Sequence, residues 1–420
     1  MSGFEFTDAQ LELREGVVRL CEDFDADYWR RVDETGDFPE AFVAAMAAGG
    51  WLGAAMPEAL GGSGLGLTEA ALVMQTVAES GAGFSGASAV HLNIFGPMPI
   101  VKFGSEAQKA RAIPRLIDGR DRMCFAVTEP DSGLDTASLT TRAERKGEGW
   151  VINGRKVWTT MAQRANKILI IARTTPREAV KRPTEGLSLF YTDFDRSRIT
   201  ATVIPKMGRR AIESNSVFID NLEVPAEDLV GEEGKGFSYL LSGLNPERVL
   251  IGAEAVGLGR AALKRASDYA RERRVFGRPI GQNQGIAHPL ARAWMNLEAA
   301  SLMAFRAAAL FDAGKPCGAE ANAAKYLGGE AGFAEPPVSA PDARAGFSDA
   351  LFSAADWRAG FSEPLGSAPD ARAGVSDAPV SAADRRAGFS EPLVSAPDAR
   401  AYFLLRGRKK VPKEKAEHRT

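Results

Sequence analysis

Two stretches decide how this chain is read: Met123-Cys-Phe-Ala-Val-Thr-Glu-Pro-Asp-Ser-Gly-Leu-Asp135 and Trp150-Val-Ile-Asn-Gly-Arg-Lys-Val-Trp-Thr-Thr160. The first is an apolar run that ends in Thr128-Glu129-Pro130 and a Gly/Asp turn, the pattern of a strand that stops at a ligand. In the second, Asn153-Gly154 lies between two alternating runs and reads as a hairpin. That run closes on an aromatic and two hydroxyls, Trp158-Thr159-Thr160. Two strand tips of this kind offer a flat apolar wall and hydrogen-bonding groups at its edge.

Outward from these strands, residues 5–120 read as helical. Thr7-Asp8 can cap a helix, and Leu11, Leu13, Val17, Val18, Leu20 and Cys21 follow a mostly helical spacing. Gly61-Gly-Ser-Gly-Leu-Gly66 is a glycine-rich loop before another helix. A phosphate cradle is one reading, but no apolar strand leads into it and no lysine follows, so a plain turn is expected. In residues 121–235 the runs Lys167–Ala172, Leu187–Tyr191, Ile199–Ile204 and Ser216–Asp220 are β-branched or alternating, with turn residues between them. Residues 236–333 return to helical patterns: Val249–Phe276, Gln284–Asp312 and Ala319–Phe333. The expected fold is α+β: an N-terminal helical domain (1–120), a middle antiparallel β-barrel or sandwich (121–235) and a C-terminal helical bundle (236–333).

From Ala331 the character changes. Five copies of one 14-residue unit fill residues 331–400, each opening Ala-Gly and closing on Arg. Solenoid units bury a shared core and start at periods near 20 residues. These units are rich in Gly, Pro, Ala and Ser and cannot bury enough to offset their conformational entropy, so disorder is expected. Residues 401–420 form a basic tail, read as solvated.

The chain has 420 residues, 25% charged and 45% hydrophobic, with a formal net charge of −2. It is long enough for two or three packed regions, and nothing in its charge points to nucleic acid. Cys21, Cys124 and Cys317 build neither a disulfide framework nor a zinc site. His91, His288 and His418 form no cluster, so no metal site or His-based triad is expected. No signal peptide and no run long enough for a membrane span is present, and a cytoplasmic location is expected.

Together the segments 123–135 and 150–160 strongly resemble the flavin-binding region of the acyl-CoA dehydrogenase family, and the resemblance runs from about residue 5 to about residue 333. It implies an FAD-dependent oxidoreductase. Phe125, Val127 and Thr128 would lie along the flavin, with Trp158 and Thr160 near its reactive nitrogen. Leu134 stands where the family usually has a Ser that helps hold the thioester arm. Leu244-Asn-Pro-Glu-Arg-Val-Leu250 resembles the segment that carries the catalytic carboxylate in isovaleryl-CoA and long-chain acyl-CoA dehydrogenases. By that match Glu247 is the base, Arg248 an active-site arginine and Leu244 a substrate-side residue. On residue chemistry alone, Pro246 opens or kinks a helix, Glu247 serves the helix dipole, and Arg248 pairs with an acid on a nearby helix. Arg271–Gln284 resembles the segment in which Arg273, Phe276 and Gln284 reach the FAD of a neighbouring subunit, which implies a homodimer or homotetramer.

The implied reaction takes the α-proton of an acyl-CoA to Glu247 and the β-hydrogen to the flavin, gives a trans-2-enoyl-CoA, and passes electrons to an electron-transfer flavoprotein. The family continues past Phe333 through two more helices, where this sequence has the repeat. Two other readings are therefore carried: a catalytically defective remnant with weak or no FAD binding, and a flavin oxidase or monooxygenase on the same scaffold.

Overall fold

The computed structural model describes residues 5–333. The basic tail and all of the repeats beyond Phe333 fall outside the described residues, and the expected disorder with them. The first region is helical: α1 (Asp8–Glu22), α2 (Ala26–Thr35), α3 (Glu40–Ala48), α4 (Leu67–Val77), α5 (Gly83–Phe95), α6 (Met98–Phe103) and α7 (Glu106–Ile117). Thr7 caps α1, and the Gln10 side chain completes a capping box with it. Asp25 and Ser105 cap α2 and α7 through their side chains.

The second region is one eight-stranded sheet. β1 (Met123–Ala126), β2 (Arg142–Lys146), β3 (Gly149–Thr160), β4 (Lys167–Arg173), β5 (Leu187–Asp193), β6 (Ile199–Val203), β7 (Ser214–Val224) and β8 (Leu229–Val230) run in the order β6-β7-β3-β2-β4-β5-β8, with β1 beside β4. Neighbours are antiparallel except at β4, which runs parallel to β1 and, at Arg142, to the start of β2. Trp150, Ile152, Ile168, Ile170, Phe190 and Val217 are buried in one apolar core cluster of this region.

Asn153-Gly154 is not the hairpin. β2 and β3 turn at Gly147-Glu148, where Lys146 pairs with Gly149 and Gly147 has φ 61°. β3 continues through Asn153 and Gly154, with a register shift against β7 between Ile152 and Gly154. A Cβ on Gly154 would lie 2.7 Å from Thr141 Cα, so this glycine permits a close backbone approach. The two uses of glycine look alike in sequence.

The third region holds α8 (Gly236–Glu272), a short hairpin of β9 (Arg274–Val275) and β10 (Arg278–Pro279), then α9 (Gln284–Asp312) and α10 (Gly318–Phe333). α8 has 37 residues and begins well before Val249, so Pro246 lies inside it and does not open it. α9 has the bounds expected from its periodicity. α10 runs parallel to α8, with Asn245 near Cys317 and Gly252 against Ala324. No helix among the described residues is long and apolar enough to cross a membrane.

Asp312, at the end of α9, accounts for the glycine-rich loop. Its carboxylate accepts the Leu67 N–H at 2.6 Å, the Thr68 N–H at 2.9 Å and the Thr68 hydroxyl at 2.6 Å. The free amides at the start of α4, which a phosphate would need, are thus taken by a carboxylate from 245 residues away. A Cβ on Gly66 would sit 2.7 Å from the Asp312 carboxyl carbon, so glycine leaves room for this cap.

Asp312→Ala should remove the cap and cost about 1 kcal/mol in urea unfolding. At the α8–α10 crossing, a Cβ on Gly328 would lie 2.7 Å from the Gly252 carbonyl oxygen. Backbone cannot swing aside as a side chain does, so Gly328→Ala should cost about 1–3 kcal/mol, seen as a lower urea midpoint with an unchanged slope.

Candidate active site

The chain leaving β1 is joined to the last part of β3 at one backbone bond, Val157 N–H to Thr128 O at 2.9 Å. Behind it lies a buried ion pair. The Lys156 ammonium, wholly buried, donates to Val127 O at 3.0 Å and to Glu129 Oε1 at 2.9 Å. Glu129 also accepts the Thr140 N–H at 2.7 Å, the Thr140 hydroxyl at 2.8 Å and the Thr141 N–H at 3.0 Å. Burial by itself would push Glu129 upward. The Lys156 charge and the hydrogen bonds from Thr141, Thr140 and Lys156 outweigh burial and hold the carboxyl down at about 2. Burial pulls the Lys156 ammonium down to about 8 against the attraction of Glu129.

Just past this clamp β3 breaks register against β7 between Lys156 and Thr159. Trp158 takes a left-handed backbone, φ 61°, and its side chain is 51% exposed. Such a backbone costs a tryptophan of order 1–3 kcal/mol and persists only where its surroundings hold it. The adjacent Thr159 Oγ1 is buried with no hydrogen-bond partner among the described residues. Thr128 and Thr160 are half-buried at the same two strand ends. An exposed indole beside two threonines suits a planar ring with a polar edge.

Phe125 carries β1 toward the helices. Its ring meets Phe95 edge-on at 5.8 Å. Phe95 in turn lines an apolar cavity of about 90 Å³, together with Ile94, Met98, Leu67, Pro246 and Leu250. Glu247 is half-buried on α8, next in sequence to Pro246 and one turn before Leu250. Arg248 donates to Asn245 Oδ1 at 3.1 Å, one turn back on its own helix, and has no acid partner among the described residues. Lys325 on α10 is pulled down by burial, with Glu247 opposing and Arg248 adding.

The remaining candidates lie elsewhere. Leu244 is half-buried on α8, while Leu134 is 88% exposed on the loop after β1. Arg273 and Gln284 are exposed, and Phe276 stands fully in solvent at the tip of the β9–β10 hairpin with φ 52°. Arg273 follows Glu247 by about 39 Å of helix axis at 1.5 Å per residue. One chain therefore does not bring the two sets together. No metal-binding cluster of His, Cys, Asp or Glu occurs among the described residues.

With this geometry in hand, three family profiles match the sequence. They are the N-terminal, middle and C-terminal domains of acyl-CoA dehydrogenases, over residues 7–120, 124–222 and 234–334. The chain belongs to the acyl-CoA dehydrogenase family. The acyl-CoA dehydrogenase FadE12 of Mycobacterium tuberculosis is 40% identical over 289 residues, 67% of this chain and 72% of that protein. The caffeyl-CoA reductase–Etf complex subunit CarC of Acetobacterium woodii is 32% identical over 303 residues, 71% of this chain and 78% of that one. The structure of butyryl-CoA dehydrogenase from Megasphaera elsdenii superposes with a TM-score of 0.75 at 26% identity, covering 83% of this chain and 94% of that one.

Glu129 and Lys156 went unnoticed as site residues in the sequence. The signal was there: Lys156 shares its strand parity with the buried Trp150 and Ile152, and a charge at an inward position needs a partner. Asp312 went unnoticed too, and its role depends on a contact no local pattern encodes.

Lys156→Met should leave Glu129 charged and buried, costing about 3–5 kcal/mol in urea unfolding. Because Glu129 falls from its ordinary 4.5 to about 2 on folding, the unfolded chain binds more protons in that window. Stability should drop as pH falls from about 4.5 toward about 2, and Glu129→Gln should flatten that slope.

Proposed function

We propose that this acyl-CoA dehydrogenase family member binds FAD and withdraws the α-proton and β-hydrogen of an acyl-CoA thioester, giving a trans-2-enoyl-CoA. The observation that carries this reading is Trp158, held half-exposed in a left-handed conformation by the Lys156–Glu129 clamp. The residues fit the cofactor: an indole face for the ring, Phe125 and Val127 along it, and the hydroxyls of Thr128 and Thr160 for its polar edge. Bound there, FAD supplies the acceptor for the two electrons and the hydrogen leaving the β-carbon.

The chain's own residues do the rest. Glu247 is the base and takes the α-proton on its carboxylate. Pro246 and Leu250 flank it with an apolar wall, and the cavity they share with Phe95 receives the acyl chain. Arg248, fixed by Asn245, sits beside the base. Leu244 and Leu134 are the substrate-side residues. Arg273, Phe276 and Gln284 lie past the far end of α8, away from Glu247, and instead reach the cofactor of a second copy, which makes the enzyme a homo-oligomer. An electron-transfer flavoprotein takes the electrons, a reading supported by the Etf complex named for CarC.

The purified chain should be yellow, and anaerobic acyl-CoA should bleach it. Glu247→Gln should keep the colour and bleach about 10²–10⁴-fold more slowly. Bleaching at the unaltered rate would move the base elsewhere, and a folded, colourless protein that refuses added FAD would overturn the proposal. Fast reoxidation of the bleached protein by oxygen would replace it with the oxidase reading.

A further inference from the structure

The Lys156–Glu129 clamp holds β3 before Trp158, and a different set of side chains holds it afterwards. Register with β7 resumes with Thr159 opposite Asn215 and Thr160 opposite Ser214. Met161, the next residue, is buried and again left-handed, φ 70°. Thr159 and Thr160 thus lie between two left-handed residues. The Thr159 carbonyl accepts from Asn215 Nδ2 at 2.9 Å, and Asn215 is wholly buried. Asn215 Oδ1 accepts from Gln163 Nε2 at 2.9 Å, and the same nitrogen donates to Ala201 O at 2.9 Å. Ala201 O can only accept, so the Gln163 nitrogen faces it and the Asn215 oxygen faces that nitrogen. The Asn215 amide is left with one orientation, its donor on Thr159. Gln163 is fixed in turn: its N–H donates to Glu213 Oε1 at 3.1 Å, and its carbonyl accepts from Arg196 at 2.8 Å. The Met161 N–H completes the set on Glu213 O at 3.1 Å.

We propose that Asn215 is a positioning residue for the flavin ring: through the Thr159 carbonyl it keeps Trp158 left-handed and so sets how the indole meets the ring. This inference rests on the flavin reading of the site. The physical reason is that a strained backbone persists only where its surroundings over-determine it, on both sides. Before Trp158 the restraint is the bond from Val157 N–H to Thr128 O, with the ion pair behind it. After Trp158 the restraint is Asn215 on the Thr159 carbonyl. The Thr159 hydroxyl adds none, since it is buried with no partner among the described residues. Without the Asn215 bond the segment relaxes toward extended backbone, which any residue adopts at no strain, and carries the indole away from the ring.

The test is a double-mutant cycle on FAD affinity, read from flavin fluorescence on the full-length protein without substrate. Asn215→Leu keeps the side-chain volume and removes the donor. It should weaken FAD binding about tenfold, as expected for one buried carbonyl left unpaired. In a Trp158→Ala background the same change should weaken binding less than about twofold, because the group it positions is gone. If Trp158→Ala alone abolishes binding, Trp158→Leu takes its place in the cycle. Unchanged affinity in Asn215→Leu overturns the inference. Losses that add in full in the double variant overturn it too, and leave Asn215 as a support of the fold alone. If Asn215→Leu does not fold, Gln163→Met, at an exposed position, frees the Asn215 amide, and the same cycle decides on the same terms. FAD binding that ignores both changes sinks only the positioning role. A folded, unaltered protein that binds no FAD sinks the flavin reading and this inference with it.

Discussion

The geometry of the site depends on one buried ion pair, Lys156 with Glu129. It joins the residues that leave β1 to the residues that end β3, strands 27 positions apart at the pair. Taking two charges out of water is costly, and the Coulomb attraction alone does not return that cost. Here the carboxylate is saturated by Lys156, Thr140 and Thr141, and the ammonium finds a second acceptor in Val127 O. The gain is positional. With Val127, Thr128 and Val157 held in place, the strand can break register at Trp158 and turn its indole outward at a conformational cost the clamp sustains.

α8 is the second organising element. A rod of 37 residues carries the proposed base near its start and the exposed Arg273 hairpin just past its end. Its faces are divided among neighbours. Glycines bring α10 to van der Waals distance at Gly252 and Gly328, small residues and Pro246 leave the apolar cavity, and Glu254 meets His91. Rigidity along this helix fixes the separation of the two ends, so one chain does not bring the two sets of residues together.

Asp312 ties the first and third regions together. By capping α4 it fills with a carboxylate the helix start that a glycine-rich loop would otherwise offer to a phosphate. A motif that looks like an anion cradle is, in this fold, the room needed by an internal anion.

Much of this protein was settled by local pattern. Period-two runs placed the strands, the helical repeat placed α9 at Gln284–Asp312, and Thr7 announced the first cap. Trp158-Thr159-Thr160 was placed by the same pattern at the end of β3. These features depend on residues near one another in the chain, where spacing and side-chain type carry the physics. Tertiary structure alone decided that Asn153-Gly154 is a close approach to Thr141, that Pro246 lies within α8, that Lys156 finds Glu129, that Asp312 caps α4, and that His91 meets Glu254 across 163 positions. Each of those outcomes is a burial or satisfaction of a polar group by a partner distant in sequence. A lone glycine, lysine or histidine has the same local signature whether or not that partner arrives.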